Sequence, residues 1–151
     1  MQRNRSLLVL FVGVIIAFLL MVSSPVLAAT TKAAATYTPA QLEQVQRYVG
    51  TLEGFRGRMQ ALATLIQNRQ WTDVRSFIHG PFGELGPTTS RLTRILLPEV
   101  REKAIFASKG ILGHLVEIDE AAKNQDYRQA IRNYAEAIKD FDALFALTPK
   151  A

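Results

Sequence analysis

The stretch that decides the fold is PAQLEQVQRYVGTLEGFRGRMQALATLIQ, which runs from Pro39 to Gln67. Its apolar residues recur at spacings of three and four, as they do on one face of an α-helix. This stripe consists of Leu42, Val45, Val49, Leu52, Phe55, Met59, Leu62, Leu65 and Ile66. Thr38 is placed to cap the first turn, and Gln41 is placed to reach back to that cap. The sequence therefore predicts a long amphipathic helix from Pro39 to about Gln67.

Three glycines in this helix each cost about 1 kcal/mol relative to alanine, so we expect them to allow close contact with a neighbouring helix, with a binding groove as the alternative. They are Gly50, Gly54 and Gly57.

Two further apolar stripes follow towards the C-terminus. One extends from Glu99 to about Lys123, and the other begins after Asp126 and continues until Pro149. Asp126 and Gln129 have the spacing of a capping box. No segment alternates apolar and polar residues for long enough to predict a strand. Because four amphipathic helices with short connections must bury their stripes against one another, we predict an all-α, up-down four-helix bundle.

The second helix of this bundle contains an interruption. It opens at Trp71, meets Gly80-Pro81, and resumes through Leu92 towards Pro98. Proline lacks an amide donor and clashes with the carbonyl four residues earlier, so a kink or a break is expected near Gly80-Pro81. The sequence shows no packing reason for this break, which makes the segment a candidate for function.

The N-terminus has the pattern of an export signal. Arg3 and Arg5 precede 16 uncharged, mainly apolar residues, Leu7 to Val22, and small residues lead to a cleavage site after Ala28. We therefore expect residues 1–28 to be a signal peptide, 29–36 a flexible leader and 37–151 the bundle domain. The alternative is a retained membrane anchor, although the run is slightly shorter than the roughly 17 to 25 residues of a spanning helix.

Positive charge is concentrated in the middle of the chain. The whole sequence has a formal charge of +5, and removal of the two signal-peptide arginines leaves 16 basic against 13 acidic residues. This weak excess does not form the dense basic stripe of a nucleic-acid-binding protein. Two interpretations remain, a solvated face and a surface that docks on an acidic protein. The basic residues concerned are Arg56, Arg58, Arg69, Arg75, Arg91, Arg94, Arg101 and Lys103.

The sequence offers little for catalysis or for a cofactor. It has no cysteine and two histidines, and no catalytic motif surrounds its serines. His114 and Glu117 lie three apart on one helix face and could hold zinc only with further ligands, so we favour an ordinary hydrogen-bonding role for His114. A haem between His79 and His114 is a further alternative. We predict a protein that is not an enzyme and has no cofactor.

Several spaced motifs resemble the cyanobacterial PsbQ-like proteins over about Tyr37 to Pro149. The first is Trp71-Thr-Asp-Val-Arg-Ser-Phe-Ile-His-Gly-Pro-Phe-Gly-Glu-Leu85. The others are Gly113-His114-Leu115, Ile118-Asp119, Ala121-Ala122-Lys123, Asp140-Phe141-Asp142 and Leu147-Thr-Pro149.

The resemblance implies an extrinsic subunit of photosystem II, held peripherally on the lumenal side of the thylakoid membrane. Such a subunit helps the oxygen-evolving complex to meet its calcium and chloride requirement, next to PsbO and the lumenal loops of the inner antenna. Many cyanobacterial members carry an acylated cysteine after the signal, whereas this chain has Ser23-Ser24 there and no cysteine. Attachment would then depend on docking alone.

The residues predict a non-catalytic exported helical domain that binds through its surface, and the resemblance implies that it is a photosystem II subunit. The residues predicted to contact the partner are the eight basic residues above together with His79, Gly80 and Pro81. The alternatives are an unrelated exported helical-bundle adaptor or ligand carrier and, in a third class, a haem cytochrome.

Overall fold

The computed structural model describes residues 35–150, and all of its regular structure is helical. The five helices are α1 (Pro39–Gln67), α2 (Trp71–His79), α3 (Leu85–Ile95), α4 (Pro98–Lys123) and α5 (Tyr127–Ala146). None of the described helices is long and apolar enough to cross a membrane. The predicted signal peptide and most of the predicted leader lie outside the described residues. The prediction of an all-α protein is confirmed, with five helices in place of four.

The extra helix arises from the predicted break. The chain leaves α2 at Gly80, whose amide donates to the Ser76 carbonyl at 2.9 Å, and it enters α3 at Leu85. In the connecting turn, Phe82 is buried, and its ring centroid lies 5.9 Å from that of Phe55 in α1 and 5.7 Å from that of Phe77 in α2. The break therefore has a packing reason that the sequence did not reveal, because it places Phe82 between two helices.

Both predicted caps are present, one of them in part. The Thr38 side chain accepts from the Gln41 amide at 3.2 Å, and the Gln41 side chain accepts from the Thr38 amide at 2.9 Å, so the box at the start of α1 is complete. Asp126 accepts from the Gln129 amide at 3.0 Å, but the Gln129 side chain donates instead to Glu117. The second box is thus only half formed, because a carboxylate on α4 lies within reach of the glutamine.

The apolar stripes face one another as predicted. α1 packs against α2, α3 and α5, and α4 packs against the same three helices. The largest side chains with no exposed surface come from α1, α3, α4 and α5 and from the residue that follows α3. They are Leu52, Met59, Leu62, Ile66, Leu85, Leu92, Leu96, Ile111, Ile118, Phe141 and Leu144. This core holds the helices in fixed positions and thereby determines which residues reach the surface.

The prediction for the three α1 glycines is wrong. Gly50, Gly54 and Gly57 are exposed, and a Cβ atom added to any of them would meet nothing within 4 Å. They lie on the outer face of α1, because the apolar stripe turns the opposite face towards the core. A close helix contact made by glycine occurs elsewhere, at Gly110 in α4, where an added Cβ would collide with the Asp140 carboxylate.

Candidate docking surface

Two of the predicted docking arginines on α1 make contacts within the protein. Arg56 Nε lies 3.3 Å from a carboxylate oxygen of Asp142 in α5. Arg58 donates to the Pro81 carbonyl at 3.1 Å, and its guanidinium lies 5.4 Å from the centre of the Phe55 ring. Arg58 thus links α1 to the turn that separates α2 from α3. The Arg56 contact likewise links α1 to α5.

Arg75 and His79 share one acidic partner. Arg75 Nε lies 3.2 Å, and His79 Nε2 lies 3.0 Å, from the same oxygen of Asp119 in α4. Asp119 is only 20% exposed, whereas Arg75 and His79 have larger exposed fractions. These contacts tie the short helix α2 to α4 just before the break. Surface ion pairs of this kind are individually weak, so their main effect is to orient α2.

Two further predicted residues have local roles. Arg69 follows α1 with φ of 54°, and its guanidinium lies 5.8 Å from the Tyr127 ring centre. Arg101 donates through Nε and Nη2 to the Leu96 carbonyl, at 3.1 and 2.8 Å. Leu96 follows the last residue of α3, so Arg101 satisfies a carbonyl that has no partner within that helix. Arg101 therefore has a structural contact that its place in a basic segment did not indicate.

The remaining predicted cations differ from these. Arg91 and Arg94 on α3 and Lys103 on α4 are exposed, and no carboxylate of residues 35–150 lies within 4.0 Å of their charged atoms. Lys109 on α4 has the same properties. The structure thus divides the predicted basic surface into residues that stabilise the fold and residues whose charge faces solvent.

An exposed apolar ridge, which was not among the residues predicted to dock, lies beside these free cations. The exposed large apolar residues of the described region all belong to α4: Ile105 at 37%, Phe106 at 79% and Val116 at 66% exposed. Grooves lie on both sides of the ridge, one between α3 and α4 and the other between α4 and α5. A signal was present in the sequence, because these three residues fall outside the apolar stripe of their helix.

His114 lies in the contact between α4 and α5 and has the hydrogen-bonding role that we favoured. Its Nδ1 is 2.9 Å from the Asn133 side-chain oxygen, and its Nε2 is 3.5 Å from an Asp140 oxygen. Glu117 accepts a hydrogen bond from Gln129 rather than joining His114. Within residues 35–150, no three His, Asp or Glu side chains come together as a possible metal site.

The fold shifts the pKa of Asp140, the carboxyl next to His114 in the contact between α4 and α5. Burial raises the pKa of the Asp140 carboxyl, His114 opposes that rise, and Glu136 adds to it. The folded protein therefore keeps the Asp140 proton at pH values at which the unfolded chain has released it. The retained proton stabilises the folded state. This stabilisation is complete below pH 3.8, the ordinary pKa of the carboxyl, and is lost as the pH rises through the raised pKa of Asp140.

We expect Asp140→Asn to become increasingly favourable, relative to the native protein, as the pH rises. The amide cannot ionise, so it does not incur the cost of burying a charge above the raised pKa. The measurement is the free energy of unfolding in urea for both proteins between about pH 3.5 and 6. Glu53→Gln on the exposed side of α1 controls for the loss of one carboxyl. A stability difference between Asp140→Asn and the native protein that does not change with pH would contradict the prediction.

Free cations beside an exposed apolar ridge are typical of the class of proteins that act by docking on other proteins. The PsbQ family model, described as oxygen evolving enhancer protein 3, matches residues 5–149. The chain is also 38% identical to CyanoQ from Synechocystis sp. strain PCC 6803 over 152 residues, which cover 100% of this chain and 99% of the relative. The chain belongs to the PsbQ family. It is a non-enzymatic extrinsic subunit of photosystem II on the lumenal side, where it stabilises oxygen evolution.

Proposed function

We propose that the chain docks where PsbO and the lumenal loops of the inner antenna lie close together, and that its free cations orient it there. Arg91, Arg94 and Lys103 make the charged contacts in this proposal. The other predicted residues shape the docking surface from within, since Arg56, Arg58, Arg75 and Arg101 already contact groups of the protein. Arg69, Gly80 and Pro81 belong to the turns on either side of α2, and His79, the last residue of α2, contacts Asp119 in α4.

In this proposal the chain acts by covering the contacts between larger subunits. The buried core and the anchored turn at Phe82 make the bundle a compact body. A compact body that covers the interfaces between larger subunits slows the loss of calcium and chloride and the entry of bulk reductants. The calcium ion would then be held by the larger subunits, because the described residues bring no group of acidic and histidine side chains together.

The observation that best supports charge-guided docking is the set of cations without an internal partner. An unpaired charge on a protein surface attracts a partner of opposite sign and raises the rate of productive encounter. The adaptor and ligand-carrier alternatives have no such specific support, and membership of the family favours the photosystem.

Washing photosystem II membranes in rising salt tests this proposal. We expect the chain to be released progressively, because the screening length falls from about 10 Å at 0.1 M to about 3 Å at 1 M salt. The amount of chain that remains on the membranes is measured by immunoblot at each concentration. The chlorophyll-binding subunits are the internal control, since they span the membrane and should remain.

The outcome that would contradict charge-guided docking is complete retention of the chain at molar salt. A chain that never co-purifies with chlorophyll-protein complexes, even at low salt, would contradict the proposed partner itself. These two outcomes differ, because the first concerns the kind of contact and the second concerns its location.

A further inference from the structure

The groove between α3 and α4 has the form of a receptor for a side chain. Its α3 wall contains Gly86, Thr89 and Thr93, and its α4 wall contains Ile105 and Leu112. The groove encloses about 320 Å³, near the lower end of the range of ligand pockets. Small residues on one wall and aliphatic residues on the other leave a depression beside the exposed ridge.

Three of the four hydroxyl groups that line this groove already donate to carbonyls of their own helices. Thr89 donates to the Gly86 carbonyl at 3.0 Å, Thr93 donates to the Ser90 carbonyl at 3.1 Å, and Ser108 donates to the Ala104 carbonyl at 2.7 Å. These three hydroxyls have no further proton to donate to an occupant. Aliphatic or aromatic surface is the chemistry that this groove accepts best.

The rim of the groove is positively charged. Arg94 on α3 and Lys109 on α4 both line the groove, and neither pairs with a carboxylate of the described residues. A second copy that presented the same groove face would bring the same two cations to the contact and would be repelled. Carboxylates placed around an apolar side chain would instead complement the rim.

We infer that this groove receives an apolar side chain from an acidic segment of a partner protein, with Arg94 and Lys109 pairing with the neighbouring carboxylates. The inference rests on the proposed docking to photosystem II and specifies the face that docks. Phe106, on the adjacent ridge, extends the apolar contact beyond the groove.

A protein partner fits this surface better than an anionic bilayer does. Glu102 and Asp140 line the groove on the other side of the ridge, so a flat anionic surface pressed against α4 would also meet carboxylates. A concave groove suits a projecting side chain, whereas a bilayer presents none. Among charged residues, only cations line the α3 side of the ridge, whereas the α5 side has Lys103 together with the carboxylates Glu102 and Asp140.

The test measures binding of the purified protein to photosystem II particles from a strain that lacks it. Ser90→Trp fills the groove from an exposed position on α3, and Arg94→Glu with Lys109→Glu reverses the charge of the rim. We expect each variant to bind roughly tenfold more weakly or worse, as central interface substitutions do. The controls place matching changes on exposed positions of α5: Ala135→Trp for the bulky residue, and Arg128→Glu with Arg132→Glu for the charge reversal. Their binding should stay within about twofold of that of the native protein, since exposed charges act over short distances.

A second measurement does not depend on how the bulky variants fold. Because the chain has no cysteine, Ser90→Cys and Ala135→Cys each provide a unique site for an environment-sensitive fluorophore. The label at residue 90 should shift to shorter wavelength when the particles bind, and the label at residue 135 should not.

Three outcomes would overturn the inference. Binding of both groove variants at native strength, with no shift of the label at residue 90, would exclude this face while leaving the proposed docking intact. Absence of binding by the native protein would instead refute the proposed docking and, with it, this inference. The third outcome is that vesicles of anionic lipid bind the native protein as tightly as the particles do but fail to bind the groove variants. The groove would then be a site for a membrane surface.

Discussion

Phe141→Ala is expected to lower the free energy of unfolding by about 3–5 kcal/mol, the usual cost of removing a buried aromatic ring. Phe141 has no exposed surface, and its ring is stacked on that of Phe145 with centroids 6.2 Å apart. It lies on α5, which packs against both α1 and α4. Because a domain of this size has a total stability of about 5–15 kcal/mol, the variant should be close to unfolding. Urea denaturation followed by circular dichroism measures the loss.

Phe106→Ala is the matched control, since it makes the same chemical change on the neighbouring helix. Phe106 is 79% exposed, so we expect its replacement to change stability by no more than about 0.5 kcal/mol. The same replacement should weaken binding to photosystem II particles if the α4 ridge takes part in docking. Equal losses of stability at the two positions would show that the ridge belongs to the core and would contradict its assignment as a surface.

Arg101→Ala is expected to cost about 1.5–3 kcal/mol, the range of a hydrogen bond to a charged group. The guanidinium donates twice to the Leu96 carbonyl, and alanine would leave that carbonyl without this partner at the junction of α3 and α4. Urea denaturation again gives the loss. Arg101→Lys should have an intermediate effect, because it keeps the charge but cannot reproduce the paired donors of the guanidinium.

The control for Arg101 is Arg94→Ala, which also removes one positive charge from this part of the chain. Arg94 is exposed, so its loss should leave stability within about 0.5 kcal/mol and should instead reduce docking. Folded Arg101→Ala protein should dock normally. If Arg101→Ala proved as stable as the native protein and bound poorly, then Arg101 would be a docking residue, as its position in the sequence first suggested.

The two arginines show why the docking surface could be predicted only in outline. Both belong to the basic middle of the chain, and nothing in their sequence neighbourhoods distinguishes them. The fold places the Arg101 side chain next to the free carbonyl of Leu96, whereas Arg94 faces a groove with no carboxylate nearby. Whether a charge is paired depends on which helices are adjacent, and that is decided by packing across many residues.

The exposed ridge illustrates the same limit. The helical period of the apolar stripe in α4 brings residues such as Ile111 and Ile118 to one face, and both are buried. Phe106 and Val116 lie off that stripe, so their exposure could be anticipated. Two grooves and a set of free cations surround these residues. This arrangement could be known only from the placement of α3 and α5.

The sequence by itself determined the helical class, the capped start of α1 and the break at Gly80-Pro81, together with the resemblance to the PsbQ family. These features depend on local chemistry: the period of the apolar residues, hydrogen bonds over three or four positions, and the missing amide of proline. Tertiary structure alone decided that Phe82 fills the break and that Arg101 is structural, and it left Arg94 and Lys109 free beside an apolar groove. Those outcomes depend on distances between residues far apart in the chain, which only the packed core fixes.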